Sequence, residues 1–498
     1  MDKESNFSEW YSWIVKEAEI ADIRYPIKGM PVYRPYGFKM YKNLMKYLES
    51  LLDKTGHKAL WIPPFIPPKI FAKETEHLLG FEMETFKIKK ESSKGVEREF
   101  IVRPTSETPL YFMASLWIDS HRDLPLKIYM TNTVYRCETK MTRPLIRGRE
   151  ILWNEAHTFH SSAEEAEKQM KEAWDIYENL FDELCVKDTY VIVKRPEWDK
   201  FPGAEYTTSA DAIMPDGKRL QIGTVHFLGQ KFSKVFNIKF KDKDGLVKYV
   251  WQTCYGVSMR LLAYVISIHG DNAGLVLPFL IAPIKIVIVP IWYNEGEKNM
   301  VLNKANEIRD KLINAFEEGS LKKYKERWLM DNLENEIIVD EREDKKPSEK
   351  YFEYELKGVP LRIEIGIRDL IEGKLTIYRR DKGEKIKVIE EELIERVGDI
   401  IEDYYNVLRN NAKMFFESRF KDADTLEDAV NYVNSGYFVR VPFCSVDKDG
   451  EECAIKLKNK YKIEVFGTNY RKEERPKGKR CIICGREAKY YVYIGKSY

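Results

Sequence analysis

No run of eighteen apolar residues occurs anywhere in the 498 residues, so nothing in the sequence reads as a membrane span. The opening MDKESNFSEWYSW lacks the apolar centre of a signal peptide, and a soluble cytoplasmic protein is expected. Net charge is nearly absent: 82 Lys and Arg against 80 Asp and Glu leave +2. That excludes a polybasic, histone-like protein and confines any nucleic-acid surface to a local patch. No glycine-rich strand-turn-helix of the dinucleotide-binding kind occurs. Cysteine is sparse, seven in all, and Cys137, Cys185 and Cys254 stand apart from one another, unlike a secreted disulfide framework. What is present is 44% hydrophobic residues, enough for real cores, over a length that holds roughly three domains.

The stretch from Thr131 to His160, TNTVYRCETKMTRPLIRGREILWNEAHTFH, carries the most chemistry. Thr133 to Glu138 and Arg149 to Glu155 read as strands of a hairpin joined by a basic loop with Lys140, Arg143 and Arg147. A guanidinium suits phosphate because its planar fork donates two parallel hydrogen bonds and stays charged when desolvated. Glu138, two residues along the strand from Arg136, points to the same face. A salt-bridged surface hairpin is the competing explanation, and the hairpin alone leaves both open.

Around it, Gly37 to Leu52 has an amphipathic helical spacing and Ala59 to Ile66 a strand-like one, with Pro63 and Pro64 demoting it to an edge. Residues 86 to 102 read as a polar hairpin leading into RPTSET. There Thr105, Ser106 and Thr108 suit a helix N-cap, with Glu107 in the first turn. Ser162 to Leu184 is an amphipathic helix opened by a Ser162/Glu165 capping box. Two strands around Pro215-Asp216-Gly217 form a second hairpin, followed by QIGTVHFLGQKFSK and by Gly256-Val257-Ser258-Met259-Arg260 entering an apolar helix. From Ile284 the pattern alternates between strands and helices, with a long helix from about 388, as in a separate α/β domain. The tail places Cys444 and Cys453 with a Cys481-x-x-Cys484 knuckle, four soft ligands suited to tetrahedral zinc rather than to a redox pair.

Taken in order, these segments resemble class II aminoacyl-tRNA synthetases, and more narrowly the prolyl-tRNA synthetases of the archaeal and eukaryotic type. The helix and Pro-bearing strand resemble motif 1, YRCE through WNEAH motif 2, and GVSMR motif 3. Lys231-Phe232-Ser233-Lys234 echoes a class I signature, but the missing βαβ unit excludes that class. The resemblance implies an α+β fold: an antiparallel sheet core with flanking helices over 1–280, an α/β anticodon-binding domain over 281–400, and a small C-terminal zinc domain over 401–498.

It also implies a two-step ligase that uses ATP with Mg2+, L-proline and tRNA(Pro), acts as a homodimer, has no membrane partner, and carries a structural Zn2+ on the four cysteines. Arg136 and Arg260 would be catalytic. Thr105, Glu107, Arg136, Trp153, Glu155, His157 and His226 would hold proline. Arg136, Glu138, Arg147, Gly148, Arg149, Gln221, Thr224, Ser258 and Arg260 would hold ATP, and Glu364, Arg368 and Arg379 would read the anticodon. The final Tyr498 would approach the active site. Two rivals belong to other classes. A silent synthetase-like RNA binder would be expected to have lost Arg136 or Arg260, and both are present. A zinc hydrolase wants His and carboxylate ligands with an open position, whereas four Cys close the site.

Overall fold

The computed structural model describes residues 1–74, 85–91, 97–472 and 474–498. The turn of the 86–102 hairpin lies outside them; its strands, Lys87–Glu91 and Glu97–Val102, pair antiparallel as the sequence suggests. Helix α1 (Pro35–Lys54) starts on a proline at N1, where no N–H is needed, and buries Tyr41, Leu44 and Leu48 on one stripe. Its Phe38 is exposed. The single strand expected over 59–66 is instead two short ones. Lys58–Ala59 joins the main sheet and Phe65–Ile66 joins the 87–102 hairpin, because Pro63 and Pro64 have no N–H for a ladder.

Helix α2 (Glu107–Trp117) leads into β1 (Leu126–Tyr135), which pairs antiparallel with β2 (Glu150–His160). The first strand ends at Tyr135, one residue before Arg136, so Arg136 and Glu138 sit in the connecting loop rather than on the expected strand. Arg149 likewise precedes β2. Helix α3 (Ala163–Glu183) buries Ala166, Met170, Ala173, Tyr177 and Leu180 as its spacing predicts. The Ser162 side chain caps Glu165 N, while the Glu165 carboxylate returns to Ser161 rather than Ser162.

Strands β3 (Tyr190–Lys194), β4 (Tyr206–Ile213), β5 (Lys218–Gly229) and β6 (Trp251–Ser258) complete the core, and α4 (Arg260–His269) follows directly. The order β3-β4-β5-β6-β2-β1 is antiparallel throughout.

The α/β unit holds β7 (Ile286–Ile291), α5 (Glu295–Glu317), β8 (Leu361–Gly366) and α6 (Leu393–Ser418). A strand over Glu384–Ile389 precedes that last helix, so the helix begins five residues later than its spacing suggested. The buried run β7 pairs parallel with β8 and with Ile337–Val339, and the remaining two strands are antiparallel. This unit shares one continuous apolar core with the first: Phe279 stacks on Trp328 at 4.9 Å, and Trp328 on Tyr405 at 6.1 Å.

The tail is not set apart either. Strands β9 (Phe438–Phe443), β10 (Glu464–Asn469) and β11 (Tyr490–Ser497) extend the core sheet through β10 onto β3. Strand β11 also pairs with Lys218 and Arg219 at the start of β5. Gly217, in the β4–β5 turn at φ +78°, lies so close to Gly436 that a Cβ there would stand 2.3 Å from its Cα. Among the described residues no helix is long and apolar enough to cross a membrane.

Candidate active site

A cleft of about 790 Å³ opens over one face of the antiparallel sheet. Strand alternation populates it. Trp153, Glu155 and His157 recur every second residue of β2 and so share a face. Across the sheet, His157 lies opposite Cys254 of β6, which lies opposite His226 of β5, which lies opposite Thr207 of β4. One row nearer the motif 2 loop, Glu155, Gly256 and Thr224 align, and beyond them Trp153 faces Ser258. A Cβ on Gly256 would crowd Asn154 O at 3.3 Å and touch the Trp153 ring at an ordinary 3.8 Å, so the bare backbone chiefly spares the neighbouring strand.

At the His157 end the cleft is acidic and dry. Glu155 accepts hydrogen bonds from Ser106 N at 3.3 Å, from Ser106 Oγ, from Asn132 Nδ2 at 2.9 Å and from His157 Nε2 at 3.2 Å. Burial opposes its charge, but His157, Ser106 and Asn132 together outweigh it and hold the carboxyl below its ordinary range. For His157, burial acts against the proton, while the Glu155 bond and the Glu107 charge raise its pKa. Ser106 occupies the N-cap of α2 without capping it through its side chain, which is spent on Glu155. Thr105 Oγ1 donates to Glu107, and the Cys254 thiol lies 3.6 Å from the other Glu107 oxygen. His226 pairs with Thr207 Oγ1 at 2.9 Å under the Phe201 ring; burial, then the His157 and Arg195 charges, push it down to about 3, so it is neutral.

The other end is cationic. Arg136 Nε donates to Pro104 O at 3.1 Å and its guanidinium lies 5.7 Å from the Trp153 ring centroid. Arg260, on the first turn of α4, donates to Ile146 O at 2.8 Å; burial, then Arg147, Arg136 and Arg219, lower it to about 10. Arg147 pairs with Glu138 at 3.2 Å and reaches the terminal Tyr498 O. Gln221 donates to Thr224 Oγ1 at 3.2 Å and accepts from Arg195 at 3.2 Å. Thr105, Glu107, Arg136, Glu138, Arg147, Gly148, Trp153, Glu155, His157, Gln221, Thr224, His226, Ser258 and Arg260 thus share one cleft. Arg149 does not line it: its Nε donates to Glu138 O and its N to Gly29 O, which anchors the loop.

Several wall residues escaped sequence reading. Arg219 and Arg195 meet on the buried Asp211 carboxylate at 3.1 and 2.8 Å. Alternation along β5, two residues before Gln221, marks Arg219; nothing local marks Arg195 or the 23–33 segment that closes one side.

Away from the cleft, Glu364 is buried between Arg362 at 2.8 Å and Lys385 at 2.7 Å, and Arg379 between Asp381 and Asp403, whereas Arg368 is exposed. The donor atoms of Cys444, Cys453, Cys481 and Cys484 lie within 4.8 Å of one another. Arg486 donates to Cys484 Sγ at 3.4 Å and Cys444 Sγ at 3.5 Å, and against the effect of burial it lowers Cys484 to about 6. Such a set fits a tetrahedral thiolate-bound ion.

Three family models match the chain in succession. The class II tRNA synthetase core domain (G, H, P, S and T) matches residues 86–269, the anticodon binding domain 285–400, and the prolyl-tRNA synthetase C-terminal domain 426–498. The chain is 43% identical to a proline–tRNA ligase of Pyrococcus abyssi over 99% of its length and 98% of that protein. It is 44% identical to one of Methanopyrus kandleri over 99% and 96%. The fold matches Giardia lamblia prolyl-tRNA synthetase in complex with prolyl-adenylate at a TM-score of 0.91 and 38% identity, covering 99% of both chains. Sheet, cleft and full-length likeness together place the chain in the prolyl-tRNA synthetase family of class II aminoacyl-tRNA synthetases.

Proposed function

We infer that the cleft activates L-proline with ATP to prolyl-adenylate, releasing pyrophosphate, and then passes the prolyl group to the 3′ end of tRNA(Pro). The observation that carries this is the division of one cleft into an acidic, desolvated end and an arginine-rich end, set along β2 from His157 to Trp153. The four steps of strand from Trp153 to His157 span about 13 Å at ~3.3 Å each, longer than an aminoacyl-phosphate and so enough to hold one. Thr105 and Glu107 accept from the secondary ammonium, which a dry pocket admits only against a carboxylate. Trp153, Glu155, His157 and neutral His226 wall the pyrrolidine ring.

Arg136 holds the proline carboxylate against the α-phosphate, so that a carboxylate oxygen attacks phosphorus while pyrophosphate leaves in line. Arg147 and Arg260 take charge building on the leaving phosphates. Glu138, Gln221, Thr224, Ser258 and the Gly148 backbone seat the nucleotide, and Arg149 positions the loop. For this, Glu138 and Arg147 exchange their mutual ion pair for substrate. No covalent nucleophile is needed, since positioning and charge neutralisation supply the rate. Magnesium enters with ATP as part of the substrate.

The division of labour follows the three segments: chemistry in 1–280, the anticodon in 281–400, a metal-bound tail in 401–498. Zinc on Cys444, Cys453, Cys481 and Cys484 would brace the tail. Of the anticodon residues, exposed Arg368 would meet a base, while Glu364 and Arg379, held in ion pairs, would shape the surface around it. Exposed Trp61, Phe65, Leu116 and Trp117 favour a homodimer, which light scattering of the purified chain tests, in a cytoplasmic enzyme. The first experiment is ATP–pyrophosphate exchange with proline, threonine, serine, alanine and cysteine, each without tRNA. Proline is expected to dominate; exchange with none of them would favour a silent RNA-binding protein.

A further inference from the structure

Behind the acidic end lies a donor set unlike an ammonium pocket alone. One carboxylate oxygen of Glu107, one imidazole nitrogen of His157 and the Cys254 sulfur lie within 4.8 Å of one another, all three residues are buried, and all three line the cleft. They come from α2, β2 and β6, elements that the sheet and its packed helix hold rigidly. Both imidazole nitrogens are engaged, Nε2 with Glu155 at 3.2 Å and Nδ1 with Tyr111 OH at 3.1 Å, so ligation takes one of them and the bond at the other orients the ring. A carboxylate behind a histidine is the arrangement that orients metal-ligating imidazoles. One oxygen, one nitrogen and one sulfur suit a borderline-soft divalent cation, whose remaining ligand would come from the cleft that the three residues line; magnesium and calcium prefer all-oxygen shells.

We propose that Glu107, His157 and Cys254 form a second metal site, separate from the four-cysteine tail, that takes Zn2+ or a similar thiophilic divalent cation and excludes an amino acid from the same end of the cleft. Binding releases the Cys254 thiol proton to solvent and exchanges one histidine hydrogen bond for a coordinate bond. Exclusion follows from charge: the Glu107 carboxylate serves either a substrate ammonium or the ion, not both in one dry pocket. The exclusion clause rests on the proline reading of the cleft, whereas the metal site rests on the donor geometry alone. Zinc then acts as a competitive brake, raising the KM for proline and leaving the KM for ATP unchanged.

Equilibrium dialysis of the full chain against micromolar Zn2+, with metal analysis, tests it. The wild type is expected to retain one ion more than Cys254→Ala, and saturating proline is expected to remove that ion. Equal zinc content in the two proteins overturns the site; an extra ion that proline leaves in place overturns the exclusion. If Cys254→Ala does not fold, Co2+ added to wild-type chain carrying a single equivalent of zinc on the four-cysteine tail supplies the readout: a thiolate charge-transfer band that proline abolishes supports the proposal, and no band overturns it. Absence of proline-dependent exchange in enzyme holding zinc on the four-cysteine tail alone would count against the proline reading alone.

Discussion

Arg260 keeps its charge in a place where burial and the neighbouring Arg147, Arg136 and Arg219 guanidinium groups oppose it, lowering it to about 10. Polyphosphate relieves that repulsion, so the contribution of Arg260 and its neighbour Arg136 should appear on the way to the transition state rather than in the fold. Arg136→Ala is expected to lower kcat/KM in proline-dependent exchange by about 100- to 1,000-fold with an unchanged melting temperature; exchange within a few-fold of wild type would remove Arg136 from the reaction. Three histidines away from the chemistry make a pH prediction. His57, His160 and His269 are buried, and burial lowers each to about 4. With folded values below the unfolded 6.5, the unfolded chain binds more protons between those limits. Stability should therefore be full above pH 6.5 and fall as pH drops toward 4, read as a denaturant midpoint. His57→Gln should flatten that slope.

At the scale of elements, alternation along β2 and the register of β6 and β5 bring distant segments into one row, and helix ends tie the units together. Glu183, closing α3, is buried and accepts from Arg327 Nε at 2.8 Å, Trp328 Nε1 at 2.9 Å and Tyr405 OH at 3.0 Å. It is the point where the catalytic helix grips the anticodon-binding unit. Removing one partner of a buried ionic cluster costs about 3–5 kcal/mol, so Glu183→Ala should lower the melting temperature measurably. The milder Glu183→Gln should raise the KM for tRNA in charging while leaving proline-dependent exchange near wild type; an equal loss in both assays would contradict a role in domain placement. A parallel link, Asp271 to the buried Arg380 at 2.5 and 2.7 Å, lies just beyond the α4 that begins with Arg260.

The whole molecule brings its C-terminal strand back to the cleft. Strand β10 extends the core sheet, β11 pairs with the start of β5, and Tyr498 bonds Asp216 at 2.9 Å while its terminal oxygen meets Arg147. Zinc on the four cysteines, as proposed above, would brace this connection, so its loss should reach the active site. Cys444→Ser/Cys481→Ser is expected to purify without tail zinc, to be cut by protease between 420 and 498, and to lose exchange activity; full activity in a protease-sensitive double variant would uncouple tail from cleft.

By itself the sequence determined the family, the order of the units, the amphipathic helices and the four-cysteine cluster. Those signals are periodic or local: the α3 stripe and the Cys481-x-x-Cys484 knuckle need only their own neighbours. Only the tertiary structure decided that Arg136 and Glu138 stand beyond a strand end, that Arg219 and Arg195 share Asp211, that the tail continues the catalytic sheet, and that Cys254 faces Glu107 and His157. Each of these depends on register between strands far apart in the chain, which side-chain packing sets and no short stretch of sequence contains.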